Sequence, residues 1–246
     1  MNKYTQQIAI GAYHTNQHAQ ASVTSLFNVM LEAAWAHAQV MEWGYEDLKS
    51  NNMFWVLSRV YFEIEKYPEW QDQITLNTWS SGTDGMYAYR EFILENEQQE
   101  VLLRASTAWL ILNLENRRIF RLRDLRNSFP RLEVPNVCRN PKRVKPHARS
   151  GELSFQPVLF SDLDVNKHFN SVKYLERVLD GFGIDFLNTF ELAQLEVNYL
   201  KEGLAGDKLA VDTVPVSDSS YSSTIVRESD GLELCSLLTH WRQRQQ

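Results

Sequence analysis

Phe54-Trp55-Val56-Leu57-Ser58-Arg59-Val60-Tyr61-Phe62-Glu63-Ile64-Glu65-Lys66 alternates along its length, with Val56, Val60, Phe62 and Ile64 on one side and Arg59, Tyr61, Glu63 and Glu65 on the other. A period of two over this length marks a half-buried strand. Three more strand-like runs follow, Asp72 to Ser80, Tyr87 to Leu94 and Val101 to Asn113. Turn-forming residues join them: Tyr67-Pro68, Ser81-Gly82-Thr83-Asp84-Gly85 and Asn96-Glu97, with Glu115-Asn116 closing the last. Upstream the period changes. Leu26, Phe27, Met30, Ala33, Ala34, Ala38 and Met41 recur at helical spacing, from an N-cap at Ser22 or Thr24 to Trp43-Gly44. One long helix followed by four antiparallel strands is the expected unit.

The same order returns later in the chain. Between Pro130 and Ser150 the periodicity dissolves, and four prolines (Pro130, Pro135, Pro141, Pro146) and six Lys/Arg mark an interdomain linker. Beyond it come a short extended run (Ser154 to Phe160), a polar loop and a helix from about Asn170 to Phe186 carrying Val172, Leu175, Val178, Leu179 and Phe182 on one stripe. Strand-like runs follow at Glu191 to Lys201, Lys208 to Val216, Tyr221 to Glu228 and Leu232 to Trp241. Asn16-Gln17-His18 before Ser22-Val23 also echoes Asn166-Lys167-His168 before Ser171-Val172. A long helix buries the apolar face of an antiparallel sheet, and here it does so twice. The expected fold is α+β, a tandem (double) hotdog: an N-terminal hotdog at 1–130, a basic linker at 131–150, and a C-terminal hotdog at 151–246.

Composition is that of an ordinary globular protein: 246 residues, 43% hydrophobic and 23% charged. Cys138 and Cys235 stand alone, which speaks against a disulfide framework or a zinc site; no metal and no cofactor are expected. The start of the chain lacks a signal-peptide pattern and no apolar run is long enough to span a bilayer, so a cytoplasmic protein is expected. The net charge of −6 argues against nucleic acid, yet Arg104 to Arg149 holds 12 Lys/Arg against three acids, a local +9 that leaves −15 elsewhere. That basic region is either a docking surface for an acidic partner or a solvated connector.

Asp164, Asn166 and His168 fall at i, i+2 and i+4 of a polar loop just before a helix. If the loop is extended, they share one side and bring a carboxylate, a carboxamide and an imidazole to a helix N-terminus. Such a set suits acyl transfer to water, which needs oxyanion donors and a base. Asp and Asn are also common caps, and spacing alone leaves both readings open.

The run Ser161-Asp162-Leu163-Asp164-Val165-Asn166-Lys167-His168-Phe169-Asn170-Ser171-Val172-Lys173-Tyr174 resembles the hallmark segment of acyl-acyl-carrier-protein thioesterases, known from plant plastids and bacteria. Trp55-Val56-Leu57-Ser58-Arg59, Glu63-Ile64-Glu65-Lys66-Tyr67-Pro68-Glu69-Trp70 and Thr78-Trp79-Ser80 are similar to that family's N-terminal hotdog, so the resemblance spans about Ile10 to Trp241. It implies hydrolysis of a fatty acyl thioester on acyl carrier protein, with Asp164, Asn166, His168 and Glu202 as the catalytic set. Where plant members place Cys, this sequence has Gly203, which removes a thiolate nucleophile at that position and leaves direct attack by water with Glu202 as base. The alternative for Glu202 is a plain surface acid at a strand end. Leu26, Phe27, Met30, Trp35, Phe54 and Trp79 are candidate walls for the acyl chain, though apolar residues at such a period are more often plain core. Lys142, Arg143 and Lys145 are candidates for docking the acidic carrier. Two hotdogs in one chain imply a pseudo-dimeric monomer or a homodimer of such chains. A hotdog acyl-CoA thioesterase and a non-catalytic acyl-binding hotdog remain as alternatives; a hotdog dehydratase fits less well, since the polar set precedes the helix.

Overall fold

Ser22 and Asn170 each start a helix in the same way. The Ser22 hydroxyl accepts from the Ser25 amide at 3.1 Å, and the Asn170 carboxamide oxygen accepts from the Val172 amide at 2.8 Å. In the computed structural model, which describes residues 3–125, 129–149 and 151–244, these helices head two compact units, Met1–Pro141 and Lys142–Gln246. Arg126 of the basic region and Ser150 at the linker's end lie outside the described residues.

In the first unit α1 spans Val23–Val40 and a short α2 spans Tyr45–Ser50. The strands are β1 (Tyr4–Ala9), β2 (Met53–Ile64), β3 (Gln73–Thr83), β4 (Ala88–Glu95), β5 (Val101–Asn113) and β6 (Ile119–Phe120). They form antiparallel ladders in the order β1-β3-β4-β5-β2, with β6 also on β5. α1 lies on one face, where Leu26, Phe27 and Met30 are fully buried and the Phe27 ring meets Phe62 edge-on at 5.5 Å.

The second unit repeats this with β7 (Gln156–Pro157), α3 (Ser171–Asp180), α4 (Ile184–Thr189), β8 (Phe190–Tyr199), β9 (Lys208–Ser217), β10 (Ser220–Arg227) and β11 (Glu233–Gln243), its strands ordered β8-β11-β10-β9-β7. Each unit is a hotdog, and the pair is the tandem that the element order predicts. The helix expected to run to Phe186 is instead two. Gly181 and Gly183 interrupt it, and Gly183 combines a φ of 76° with a ψ of 160°, a region essentially confined to glycine.

A bulge alters the face assignment in β2. Leu57 pairs with Trp109 and Arg59 with Ala108, so Ser58 is the extra residue. Val60, Phe62 and Ile64 face α1, but beyond the bulge Trp55 and Leu57 take that face and Val56 and Phe54 turn away from it. Trp55 joins Trp43, Met53 and Trp109 around Leu48, Ala88, Ile111, Leu122 and Phe129.

The linker is tied to the sheet faces opposite the helices. In the first unit the Val137 amide donates to the buried Glu91 carboxylate at 3.3 Å, and the Arg139 guanidinium covers the Tyr61 ring at 3.5 Å. In the second, the Lys142 amide donates to Glu196, the Val144 amide donates to Asn198 Oδ1 at 2.6 Å, and His147 reaches Ser222 at 3.0 Å and Asp212 at 3.5 Å. These bonds satisfy polar side chains that the sheet buries.

Arg90 is buried on the α1 face, where its guanidinium meets His37 Nδ1 at 2.9 Å and donates to Thr78 at 3.2 Å. Burial, with the Arg90 charge adding to it, pushes the His37 imidazole from its ordinary 6.5 down to about 4. The folded protein therefore holds His37 neutral while the unfolded chain protonates it. Its contribution is whole above pH 6.5 and is lost as pH falls toward 4. Between pH 7 and 5 the unfolding free energy of the wild type is expected to fall about 2 kcal/mol further than that of His37→Asn, measured by urea denaturation. Parallel declines would show that His37 is not the titrating group.

Candidate active site

Asp164 closes a tight hairpin. Its amide donates to the His168 carbonyl at 2.8 Å and its carbonyl accepts from Lys167 at 2.9 Å. Its carboxylate Oδ1 accepts from the Asn166 amide at 2.8 Å and the His168 amide at 3.0 Å. An Asp that bonds amides two and four residues on stabilises a turn without secondary structure around it. Lys167 sits at φ 64° to complete the turn. The alternation expected of an extended loop is therefore absent: Asp164 is occupied by backbone, and Asn166 is exposed at the turn.

Below the hairpin, the buried Asp162 carboxylate accepts from the Leu159 amide at 2.9 Å and from Arg177 of α3 at 2.8 Å, which fastens the loop to the helix. On its other side the hairpin bridges the corner after β8. The Phe169 amide donates to the Gly203 carbonyl at 2.8 Å, and His168 pairs with Leu204. This brings His168 Nε2 to 3.6 Å from Glu202 Oε2, with side chains 22% and 37% exposed. The separation is too long for a direct hydrogen bond and short enough for both groups to serve one water or substrate atom.

The corner itself is fixed by groups that spacing did not single out. The Tyr174 hydroxyl accepts from the Gly203 amide at 2.9 Å and lies 3.4 Å from the Lys201 carbonyl, to which it donates. A β-carbon on Gly203 would meet Phe169 Cβ at 3.0 Å and the Tyr174 hydroxyl at 3.2 Å, so any larger residue here must displace one of them. Arg227 pairs with Asp230 at 2.6 Å and Asp207 at 3.4 Å and donates to the Glu202 carbonyl at 3.5 Å, while Asp207 accepts from the Leu204 amide at 2.9 Å. The sequence signal for Tyr174 is its place four residues after the Asn170 cap, on the helix that follows the loop.

The first unit builds the same hairpin with other side chains. Asn16 Oδ1 accepts from the His18 amide at 2.9 Å and the Gln20 amide at 3.4 Å, Ala19 has φ 55°, and the Ala21 amide donates to the Pro68 carbonyl at 2.8 Å. Bond by bond, Asn16 corresponds to Asp164, Gln20 to His168, Pro68 to Gly203 and Tyr67 to Glu202. The sequence echo of Asn16-Gln17-His18 with Asn166-Lys167-His168 is thus two residues out of register. The turn-forming side chain sets the equivalence, and a shared Asn and His do not.

Neither cysteine offers this corner a reactive thiolate, although Cys235 pairs with Tyr199 beside it. Cys235 is fully buried in β11, which pushes its thiol well above the usual range; burial, then the Glu91 and Glu63 charges, do the same to Cys138 in the linker. Of the wall candidates, Leu26, Phe27 and Met30 pack under α1, while Trp35 is 46% exposed and stacks on Tyr45 at 6.0 Å. Phe54, under Arg117, and Trp79, under Lys3, lie on the face opposite α1. A cleft of about 460 Å³ at the end of α1 is lined by Lys3, Tyr4, His37, Val40, Met41, Pro130 and Arg131, none of them among those six. Lys142, Arg143 and Lys145 are exposed on the tied linker. Among the described residues no cluster of three His, Cys, Asp or Glu is placed to hold a metal ion, and no helix is long and apolar enough to cross a membrane.

Two sequence families cover both units: residues 1–127 match the acyl-ACP thioesterase N-terminal domain and residues 145–243 the acyl-ACP thioesterase C-terminal domain. The chain belongs to the acyl-ACP thioesterase family. Among relatives of this thioesterase family, the chloroplastic palmitoyl-acyl carrier protein thioesterase of Gossypium hirsutum is 28% identical over 97% of this chain and 63% of its own length. The chloroplastic oleoyl-acyl carrier protein thioesterase 2 of Arabidopsis thaliana is 27% identical over 88% of this chain and 63% of its own. The chain thus spans a little under two thirds of these plant relatives. Two solved structures share the fold: an acyl-ACP thioesterase from Bacteroides thetaiotaomicron (TM-score 0.89, 24% identity, 98% of each chain) and the 12:0-ACP thioesterase from Umbellularia californica (TM-score 0.85, 21% identity, 98% of each chain).

Proposed function

We propose that this chain hydrolyses the thioester of a fatty acyl group carried on acyl carrier protein, releasing the free acid by direct attack of water. The observation that carries this reading is the His168–Glu202 pair at 3.6 Å, held against the Asp164 hairpin. Glu202 accepts a proton from water as the water attacks the thioester carbonyl. Asn166, with an amide of the first turn of α3, receives the developing oxyanion. His168 orients the water, receives that proton from Glu202 and passes it to the departing thiolate, so the proton taken from water leaves with the thiol. Asp164 holds the loop that carries both. Gly203, the buried Cys235 and the half-buried Cys138, whose thiols burial holds protonated, support a route without a cysteine nucleophile.

The carrier is an acidic protein, and Lys142, Arg143 and Lys145 are our docking candidates: the amides of Lys142 and Val144 bind the sheet while the charged side chains are exposed. Free-thiol release across acyl carrier protein thioesters of increasing length, with CoA esters of equal acyl length as controls, tests the proposal. Carrier-bound substrates should turn over faster, and their kcat/KM should fall with added salt and on charge reversal at the three cations. Faster turnover of CoA esters would make CoA the carrier; acyl binding without thiol release would make the protein a binding module.

A further inference from the structure

The corner that carries Glu202 is bracketed by one hydroxyl. The Tyr174 hydroxyl accepts from the Gly203 amide at 2.9 Å and donates to the Lys201 carbonyl at 3.4 Å, the peptide groups on either side of Glu202. Its ring is buried and wedged edge-on between Phe169 at 4.6 Å and Tyr199 at 5.6 Å, so the hydroxyl has little freedom. Glu202 needs such support, because it lies past the end of β8. There the Leu200 and Lys201 amides share one carbonyl, that of Leu234, at 2.8 and 3.1 Å. The Gly203 amide is buried, and Tyr174 is its acceptor.

The first unit supplies a contrast within the same molecule. At the position of Tyr174, four residues after the helix cap, it has Leu26; at the positions of Glu202 and Gly203 it has Tyr67 and Pro68. Proline has no N–H, so this corner needs no acceptor, and the Pro68 carbonyl still receives the Ala21 amide as Gly203 receives Phe169. The backbone corner therefore forms without a hydroxyl clamp. The clamp is present in the unit with an acid at this position, Glu202, and absent from the unit with Tyr67 there.

We infer that Tyr174 is a positioning residue for the reaction, holding Glu202 at its distance from His168 through the two flanking peptide groups; this rests on Glu202 being the base. A displaced base loses rate out of proportion to stability, since proton transfer depends steeply on geometry. Tyr174→Phe removes both hydrogen bonds and keeps the packed ring. Its kcat on carrier-bound substrate should fall about tenfold with KM within about twofold, while its unfolding stays cooperative.

A double-mutant cycle separates positioning from mere support. In a Glu202→Gln background Tyr174→Phe should cost less than about twofold in kcat, because no base is left to misplace. Wild-type kcat for Tyr174→Phe, or an equal loss in both backgrounds, overturns the inference and leaves the Glu202 assignment standing. Full turnover by Glu202→Gln alone overturns both. Should Tyr174→Phe fail to fold, Tyr174→Trp keeps an N–H donor but offers Gly203 no acceptor, and the same cycle applies to it.

Discussion

Glu202→Gln is expected to lower kcat on carrier-bound acyl thioester by about a hundredfold or more, with KM close to that of the wild type. The substitution keeps the shape of the side chain and removes its capacity to take a proton. At 37% exposure the Glu202 side chain contributes little to the core, so the unfolding midpoint should stay within a degree or two of wild type, as for other surface changes. The loss should persist in single-turnover experiments, which isolate chemistry from product release. His168 remains in place in the variant, and the residual rate reports what orientation and oxyanion stabilisation achieve without a base. Normal turnover by this variant would sink direct hydrolysis with Glu202 as base.

Asp164 invites a pair of substitutions with opposite outcomes. Its Oδ1 accepts two backbone amides, those of Asn166 and His168, at 2.8 and 3.0 Å. Asp164→Ala removes both bonds, loosens the turn and lets His168 move from Glu202; a displacement of about an ångström is enough to lower kcat by about a hundredfold. Asp164→Asn retains an acceptor oxygen and should keep activity within about fivefold of wild type, since Asn forms the same turn. Asn16 already does so in the first unit. Equal, severe losses in both variants would mean that the charge of Asp164 takes part in the chemistry, and the reading of it as a turn-holder would fail.

Much of the fold could be read from periodicity because each strand buries one face and each helix one stripe. The four runs after α1 and the four after α3 lie close to their expected limits for that reason. What periodicity could not reveal were insertions and breaks that depend on tertiary contacts. One extra residue at Ser58 reverses the faces of Phe54 and Val56, and a single strand viewed alone carries no sign of it. Gly181 and Gly183, on either side of Phe182, end α3 although the apolar stripe runs on through Phe182. The proline-rich connector reads as free chain, yet its amides bind Glu91, Glu196 and Asn198, which become acceptors only once the sheets exist.

The site was legible in part. His168 and Glu202 are 34 positions apart in the chain, and no spacing rule joins them; a resemblance did. The same resemblance placed Asp164 in the catalytic set as the residue that fixes the loop; its Oδ1 accepts the Asn166 and His168 amides. Tyr174 ends the run that carries the resemblance, yet the sequence assigns it no role, because a buried hydroxyl is informative only when the groups it touches are known.

The hairpin that recurs with Asn16 and Gln20 in one unit and Asp164 and His168 in the other bears on how such a chain can change. In an assembly of identical subunits every substitution is made twice, so a residue needed for chemistry in one copy cannot be traded for another purpose in the next. Here a substitution at Gln20 or Tyr67 leaves His168 and Glu202 as they are. One copy is held to its reaction while the other is free to take up new side chains on an unchanged backbone.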